Sequence, residues 1–163
     1  MAKNLDRVVE RDRARQERER RMEALRRQGG SELFGMCKRL ALSLNDLLSN
    51  AVAVVTPDDF TVDGFEDKAM HLVQISINGR ILQLTYQPTA ELEAIDHIRV
   101  PYTLEGSVRW FNQDMIERDD VRDHGLYYCV NGDKGDWRFV DPISRKLGSV
   151  TEEYLIGLLE QLL

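Results

Sequence analysis

Residues 71–86, HLVQISINGRILQLTY, decide the fold because they predict a β-hairpin whose register is fixed by its turn. Asn78-Gly79 is typical of a two-residue type I′ turn, which requires positive φ at both positions. That turn pairs Ile77 with Arg80 and extends the pairing outward along both strands. Because side chains alternate across a strand, one face of the hairpin is apolar throughout. This face consists of Val73, Ile75, Leu82 and Leu84.

The opposite face of the hairpin is more polar, with Gln74 opposite Gln83 in the predicted register. At the open end His71 lies opposite Tyr86, which we interpret as a structural cross-strand contact. A hairpin of two strands is marginally stable in water on its own. Helices must therefore cover the apolar face.

The segment 31–52, SELFGMCKRLALSLNDLLSNAV, predicts such a covering helix, with Ser31 as its N-cap after a break at Gly29-Gly30. Its apolar residues recur at helical spacing, so the helix is expected to lie on the sheet. The stripe consists of Leu33, Met36, Leu40, Leu44, Leu47 and Ala51, widened by Phe34, Cys37, Ala41 and Leu48.

Residues 4–28 predict a separate charged helix, since they are strong helix formers without Gly or Pro. Opposite charges four residues apart, such as Glu17 and Arg21, stabilise such a helix by roughly 0.2–0.5 kcal/mol per pair. Its apolar residues lie only at the two ends, which excludes a long two-stranded coiled coil. The chain is therefore predicted to comprise a charged helical arm, residues 1–28, and a single domain, residues 31–163.

The remaining patterns predict further strands and two more helices. We expect strands at 52–55, 98–104, 107–112, 126–130 and 137–140, a helical turn at 90–95, a helix at 113–124 capped by Asn112 or Asp114, a six-residue loop at 131–136, and a C-terminal helix after a capping box at 149–152. The predicted fold class is α+β. A mainly antiparallel sheet of about five to seven strands packs against N- and C-terminal helices and is preceded by the long charged helix.

Charge is divided unevenly along the chain. Residues 1–28 carry ten Lys/Arg and six Asp/Glu, a net charge of +4, and the rest carries 12 basic and 22 acidic residues, a net charge of −10. This contrast favours a non-enzymatic protein-interaction module, self-associating as a homo-oligomer or binding another protein through the arm. The candidate contact residues are Arg11, Arg15, Arg18, Arg21, Met22 and Leu25.

Two alternatives remain open at this stage. The Arg-rich arm is also compatible with binding to nucleic acid, although the acidic body opposes it. A helix at 113–124 would place Asp120 and His124 one turn apart, which is the minimal acid/base or metal pair of a small ligand-binding protein or enzyme. The chain contains no GxGxxG, GxxxxGK[ST], GxSxG or HExxH motif. We therefore assign no catalytic residue and expect no cofactor.

The loop 58–67 is rich in carboxylates and is the strongest candidate for a metal site, but Asp59, Thr61 and Asp63 supply only two carboxylates at alternating positions. We expect a solvated loop and no metal. Cys37 and Cys129 match no zinc or CxxC spacing, so we expect reduced thiols in a cytoplasmic protein. The longest apolar run, 33–48, contains charged residues and is too short to span a membrane.

Overall fold

The computed structural model describes residues 2–49, 52–93 and 100–162. Its elements follow in the order α1 (Ala2–Leu47), β1 (Ala53–Thr56), β2 (His71–Ile77), β3 (Arg80–Glu93), β4 (Tyr102–Phe111), α2 (Gln113–Glu117), β5 (Arg122–Asn131), β6 (Lys134–Val140), β7 (Leu147–Ser149) and α3 (Glu152–Glu160). The described strands form one antiparallel sheet in the order β1-β2-β3-β4-β5-β6-β7. The predicted α+β fold class is confirmed.

The central hairpin has the predicted register. Ile77 pairs with Arg80 and His71 with Tyr86, and Asn78 and Gly79 have φ of 48° and 81°, as a type I′ turn requires. The apolar face is at most 3% exposed at all four predicted positions. The ring of His71 stacks on that of Tyr86 at 5.2 Å between centroids, which confirms their structural contact.

Helix α1 is continuous, so the predicted break at Gly29-Gly30 and the predicted N-cap at Ser31 are wrong. The two glycines lie where α1 packs tightly against its neighbours. The indole N–H of Trp137 donates to the carbonyl oxygen of Gly29 at 2.7 Å. A Cβ on Gly29 would lie 2.9 Å from the ring of Tyr128. Glycine is therefore used here for close packing.

The second part of α1 covers the sheet as expected. Leu33, Cys37 and Leu40 are at most 1% exposed, whereas Leu47 is 80% exposed, so the buried stripe ends before it. Ala51 lies outside the described residues. Cys37 and Cys129 are free and buried. Burial raises the pKa of the Cys37 thiol to about 12, so this thiol is protonated at neutral pH.

The helix predicted at 113–124 is wrong beyond its first turns. Asn112 caps α2 as predicted, since its side-chain oxygen accepts from the N–H of Met115 at 2.9 Å. The helix ends at Glu117, and Asp119 adopts a φ of 53° that turns the chain. His124 therefore lies on strand β5. Aspartate adopts this left-handed conformation more readily than most side chains do, which permits the turn at Asp119.

Several other predicted boundaries are also wrong, because the strands extend beyond the apolar residues from which they were predicted. The predicted loop at 131–136 is a two-residue turn at Gly132-Asp133, since β5 and β6 extend to it. The helical turn predicted at 90–95 is wrong for residues 90–93, which belong to β3, and residues 94–95 lie outside the described residues. The two strands expected at 98–104 and 107–112 are one strand, β4, which begins at Tyr102 among the described residues.

The C-terminal part adds one unpredicted element. Strand β7 pairs with β6 and was missed because it is only three residues long. Helix α3 is capped by Thr151 rather than by Ser149, and its buried face contains Leu155, Leu158 and Leu159. No helix in the described part of the chain is long and apolar enough to cross a membrane.

Candidate functional site

The first part of α1 leaves the sheet as a free helix. Every residue from 2 to 21 is exposed, and we call this segment the arm. At 1.5 Å per residue it projects about 30 Å. The arm is the unpacked continuation of a helix that is otherwise embedded in the fold.

Three arginines of the arm lie on the same side of α1 as the residues that pack against the sheet. Arg11, Arg15 and Arg18 are spaced four and three residues apart, and the same spacing continues through Met22 to the buried Gly29. These positions lie on one side of an α-helix. We call Arg11, Arg15 and Arg18 the inner stripe.

A groove of about 840 Å³ lies between the base of the arm and the end of the sheet. Among the side chains that the structure describes, the basic lining residues are Arg15, Arg18, Arg21, Arg26 and Lys68, and the acidic ones are Glu19, Glu23 and Asp67. Its apolar surface includes Met22 from the arm, Leu92 from β3 and Val130 from β5. The groove therefore combines an excess of positive charge with an apolar floor.

Arg26 fixes the base of the arm to the sheet. Its guanidinium donates to the carbonyl oxygen of Thr89 at 2.5 Å and to the hydroxyl of Thr103 at 2.8 Å. These bonds lie at the irregularity where the pairing of β3 with β4 skips from Pro88 to Glu93. Burial lowers the pKa of Arg26, opposed by the nearby carboxylates of Asp67 and Glu23. Arg26 thus has a structural role within the groove.

Two ion pairs connect the helix to neighbouring loops. Arg27 donates two hydrogen bonds to the carboxylate of Asp67, each 3.1 Å long. Arg21 lies 3.6 Å from the carboxylate of Asp133 in the turn between β5 and β6. Both pairs are partly or largely exposed, so each contributes about 0–1 kcal/mol to stability. These pairs therefore contribute little to the free energy of unfolding, and Arg21 connects the arm to the turn between β5 and β6.

Three cations in and beside the groove have no such partner. Among the carboxylates whose side chains the structure describes, which leaves out Glu91 and Glu93, none lies within 4.0 Å of Arg11, Arg18 or Lys68. Arg15 has one exposed pair with Asp12 at 3.7 Å. These side chains are therefore accessible to a negatively charged ligand.

The predicted contact residues divide between the groove and the core. Arg15, Arg18, Arg21 and Met22 line the groove, and Arg11 extends the same stripe along the arm. Leu25 is 4% exposed and packs in the core, which leaves little of it for a partner to contact. Nothing in the sequence signals which residues form the opposite wall of the groove, namely Asp67, Lys68, Thr89, Ala90, Leu92, Pro101, Val130 and Gly132.

The proposed pair of Asp120 and His124 is not brought together by a helix. Asp120 follows α2, where its N–H donates to the carbonyl of Met115 at 2.8 Å. The His124 ring instead lies near the carboxylate of Asp141, with 3.9 Å between Oδ2 and Nε2. The hydroxyl of Tyr154 lies 2.6 Å from Nδ1. A chemical role for Asp120 and His124 stays a prediction.

Aromatic rings enclose His124 and give it a structural role. Its ring packs edge-on against Trp110 at 4.8 Å and stacks with Phe139 at 5.4 Å between centroids. Desolvation lowers the pKa of His124, while Asp141 and Asp123 oppose this effect. A neutral ring with its proton on Nε2, towards Asp141, leaves Nδ1 to accept from the Tyr154 hydroxyl. The cluster therefore fastens α3 to β5.

In the described part of the chain, no group of three or more His, Cys, Asp or Glu side chains is arranged to hold a metal ion. In the loop 58–67, Asp67 is instead engaged by Arg27.

Comparisons with known proteins give no match to a protein-family model, to a curated protein or to a solved structure.

Proposed function

We propose that the protein is a non-enzymatic, cytosolic protein-interaction module whose arm and groove bind an acidic surface of a partner protein. The observation that carries this proposal is the continuity of α1, which presents the inner stripe beyond the edge of the sheet. If the arginines of the arm served only solubility, the arm would not need a fixed orientation relative to the sheet. Here Arg26 and the buried Gly29 fix that direction.

The groove favours an acidic ligand that also carries apolar side chains. Arg18 and Lys68 supply positive charge within the groove, and Arg11 extends this charge along the arm. Apolar area beside it comes from Met22, Leu92 and Val130. A preformed helical wall reduces the entropy lost on binding. Charge complementarity accelerates association and makes it sensitive to salt.

The test uses the full chain with charge reversals rather than truncation at Gly30, because truncation would remove the buried Leu25 and Gly29. One variant reverses the inner stripe: Arg11→Glu, Arg15→Glu and Arg18→Glu. The matched control reverses Lys3, Arg13 and Arg20 to Glu, which changes the net charge equally but leaves every groove-lining residue intact.

The probe is a fluorescein-labelled peptide of repeated Glu-Glu-Leu, and the measurement is its fluorescence anisotropy during titration. The unaltered chain and the control are expected to bind it, more weakly as the salt rises from about 50 to about 500 mM. The inner-stripe variant is expected to bind at least about tenfold more weakly. Equal loss in both variants, or no binding by any chain, would contradict the proposal.

The nucleic-acid alternative is tested in the same titration with a single-stranded RNA oligonucleotide as the probe. Glu19, Glu23 and Asp67 line the groove and oppose a phosphate backbone, which favours a protein ligand with spaced carboxylates. Binding of RNA through the inner stripe, without binding of the peptide, would replace the protein-interaction proposal.

A further inference from the structure

We propose that the occupant of the groove is the acidic loop of a second copy of this chain, and that the protein is a two-fold symmetric dimer. The acidic loop is defined as residues 58–66, DDFTVDGFE. This inference rests on the proposed function, since it names the acidic surface that the inner stripe binds.

The acidic loop has the chemistry that the groove requires. Its carboxylates at Asp58, Asp59, Asp63 and Glu66 are exposed. Val62 lies between them and is 51% exposed, so an apolar side chain is flanked by negative charge. In the groove, Val62 would contact the apolar floor while the carboxylates reach the unpaired cations.

The floor and the cations are arranged to receive both kinds of side chain at once. Met22 is one helical turn from Arg18, so the apolar and the cationic parts of the groove are adjacent on the arm. Lys68 supplies a cation on the opposite wall. A ligand with one apolar residue between carboxylates therefore matches the groove better than a purely acidic one.

Aromatic anchors hold the acidic loop in a fixed conformation. Phe65 is 4% exposed and stacks on His71 at 4.2 Å between ring centroids. Phe60 stacks on Phe34 of α1 at 6.1 Å. The guanidinium of Arg27 lies 5.5 Å from the centre of the Phe65 ring. Because the loop is already ordered, little entropy is lost when it binds.

The acidic loop does not fill its own groove. Residues 58–66 are absent from the groove lining, which includes the two residues that follow them, Asp67 and Lys68. Asp67 is fixed by Arg27, which places the acidic loop beside the groove on the same molecule. The two complementary surfaces therefore adjoin each other.

Adjacent complementary surfaces suit a closed dimer. In an isologous dimer each groove receives the partner's loop while its own loop enters the partner's groove. Both contacts form together, so the inner stripe of each copy is engaged by the acidic loop of the other. A single contact of this kind would instead leave one groove and one loop unfilled at the ends of an open chain.

The test measures molar mass by sedimentation equilibrium of the full chain at concentrations up to about 100 µM, a range that detects weak dimers. A groove variant carries Arg11→Glu, Arg15→Glu and Arg18→Glu. A loop variant carries Asp58→Lys, Asp63→Lys and Glu66→Lys, and leaves Asp59 to accept from the N–H of Phe60. A control carries Glu117→Lys, Asp120→Lys and Glu160→Lys, which are exposed and lie outside both surfaces.

The unaltered chain and the control are expected to be dimeric at low salt and monomeric at high salt. The groove variant and the loop variant are each expected to be monomeric, because like charges then face each other. An equal mixture of the two variants is expected to recover the dimer, since the reversed groove of one meets the reversed loop of the other. Only folded chains can recover it, so the mixture separates lost contacts from unfolding.

The inference is overturned if the unaltered chain is monomeric at low salt, if either variant remains dimeric, or if the mixture stays monomeric. A monomer that still binds the Glu-Glu-Leu peptide through its inner stripe retains the proposed function with an outside partner. A monomer that binds no acidic peptide contradicts both.

Discussion

The two parts of helix α1 differ in what holds them. Residues 22–47 contain the buried Leu25, Gly29 and Leu33, which pack against the sheet. The arm, residues 2–21, has no buried residue, and charged side chains predominate along it. The packed part is stabilised by tertiary contacts and the arm by local charge pairs and by the helix that it extends. One secondary structure element thus serves both as a core component and as an exposed surface.

The largest expected effect comes from truncating an apolar side chain in the packed part. The same kind of truncation in the arm provides the comparison. Leu33→Ala is expected to lower the free energy of unfolding by about 2–5 kcal/mol, because it leaves a cavity in a fully buried site. Val8→Ala, at a position 55% exposed, is expected to change it by less than about 0.5 kcal/mol. Urea denaturation followed by circular dichroism measures both. A comparable loss in Val8→Ala would mean that the arm is packed in solution.

The sequence predicts the hairpin better than it predicts α1 because the hairpin is a local structure. The Asn78-Gly79 turn and an alternation of period two are sufficient to specify the pairing as far as His71 and Tyr86. Gly29 and Gly30 resemble a helix end equally well from sequence. What keeps them helical are Tyr128 and Trp137, about a hundred residues away in the chain.

The candidate site likewise has one part that the sequence predicts and one part that it does not. The inner stripe could be predicted from the spacing of Arg11, Arg15 and Arg18 on one helix. The opposite wall of the groove could not, because Lys68, Leu92 and Val130 come from separate strands and loops. His124 was assigned to a helix because neither the left-handed turn at Asp119 nor the start of β5 has a strong local signal.

The second prediction concerns the glycines through which α1 continues, and its expected change in the free energy of unfolding is smaller. Gly29→Leu is expected to lower the free energy of unfolding by about 1–3 kcal/mol, although leucine favours helix, because the side chain would overlap Tyr128 and Leu104. Gly35 offers the control within the same helix, since an added Cβ meets only the guanidinium end of the exposed Arg39 side chain, at 3.3 Å. Gly35→Ala is expected to stabilise the protein by about 0.5–1 kcal/mol. Stabilisation by both changes would show that close packing does not require Gly29.

The smallest expected effect is a dependence of stability on pH that arises in the packed part of the molecule alone. The arm, residues 2–21, contains no histidine, whereas His124 fastens α3, and α3 contacts α1 through Glu152 and Arg39. Because desolvation lowers the pKa of His124, the unfolded chain binds a proton more readily than the folded one does. Stability from this group is therefore complete above the unfolded pKa of about 6.5 and is lost as the pH falls below it.

Urea denaturation at pH values between about 7.5 and 5.5 measures this dependence, since that range brackets the unfolded pKa of histidine. His124→Gln removes the titrating group but keeps a side chain that can accept from the Tyr154 hydroxyl. It is expected to be less stable than the unaltered chain at pH 7.5 and to lose less stability on acidification. Equal slopes for the two proteins would show that His124 titrates alike in the folded and unfolded states. Desolvation by Trp110 and Phe139 would then not penalise its charged form, and the aromatic cluster would fasten α3 by packing alone.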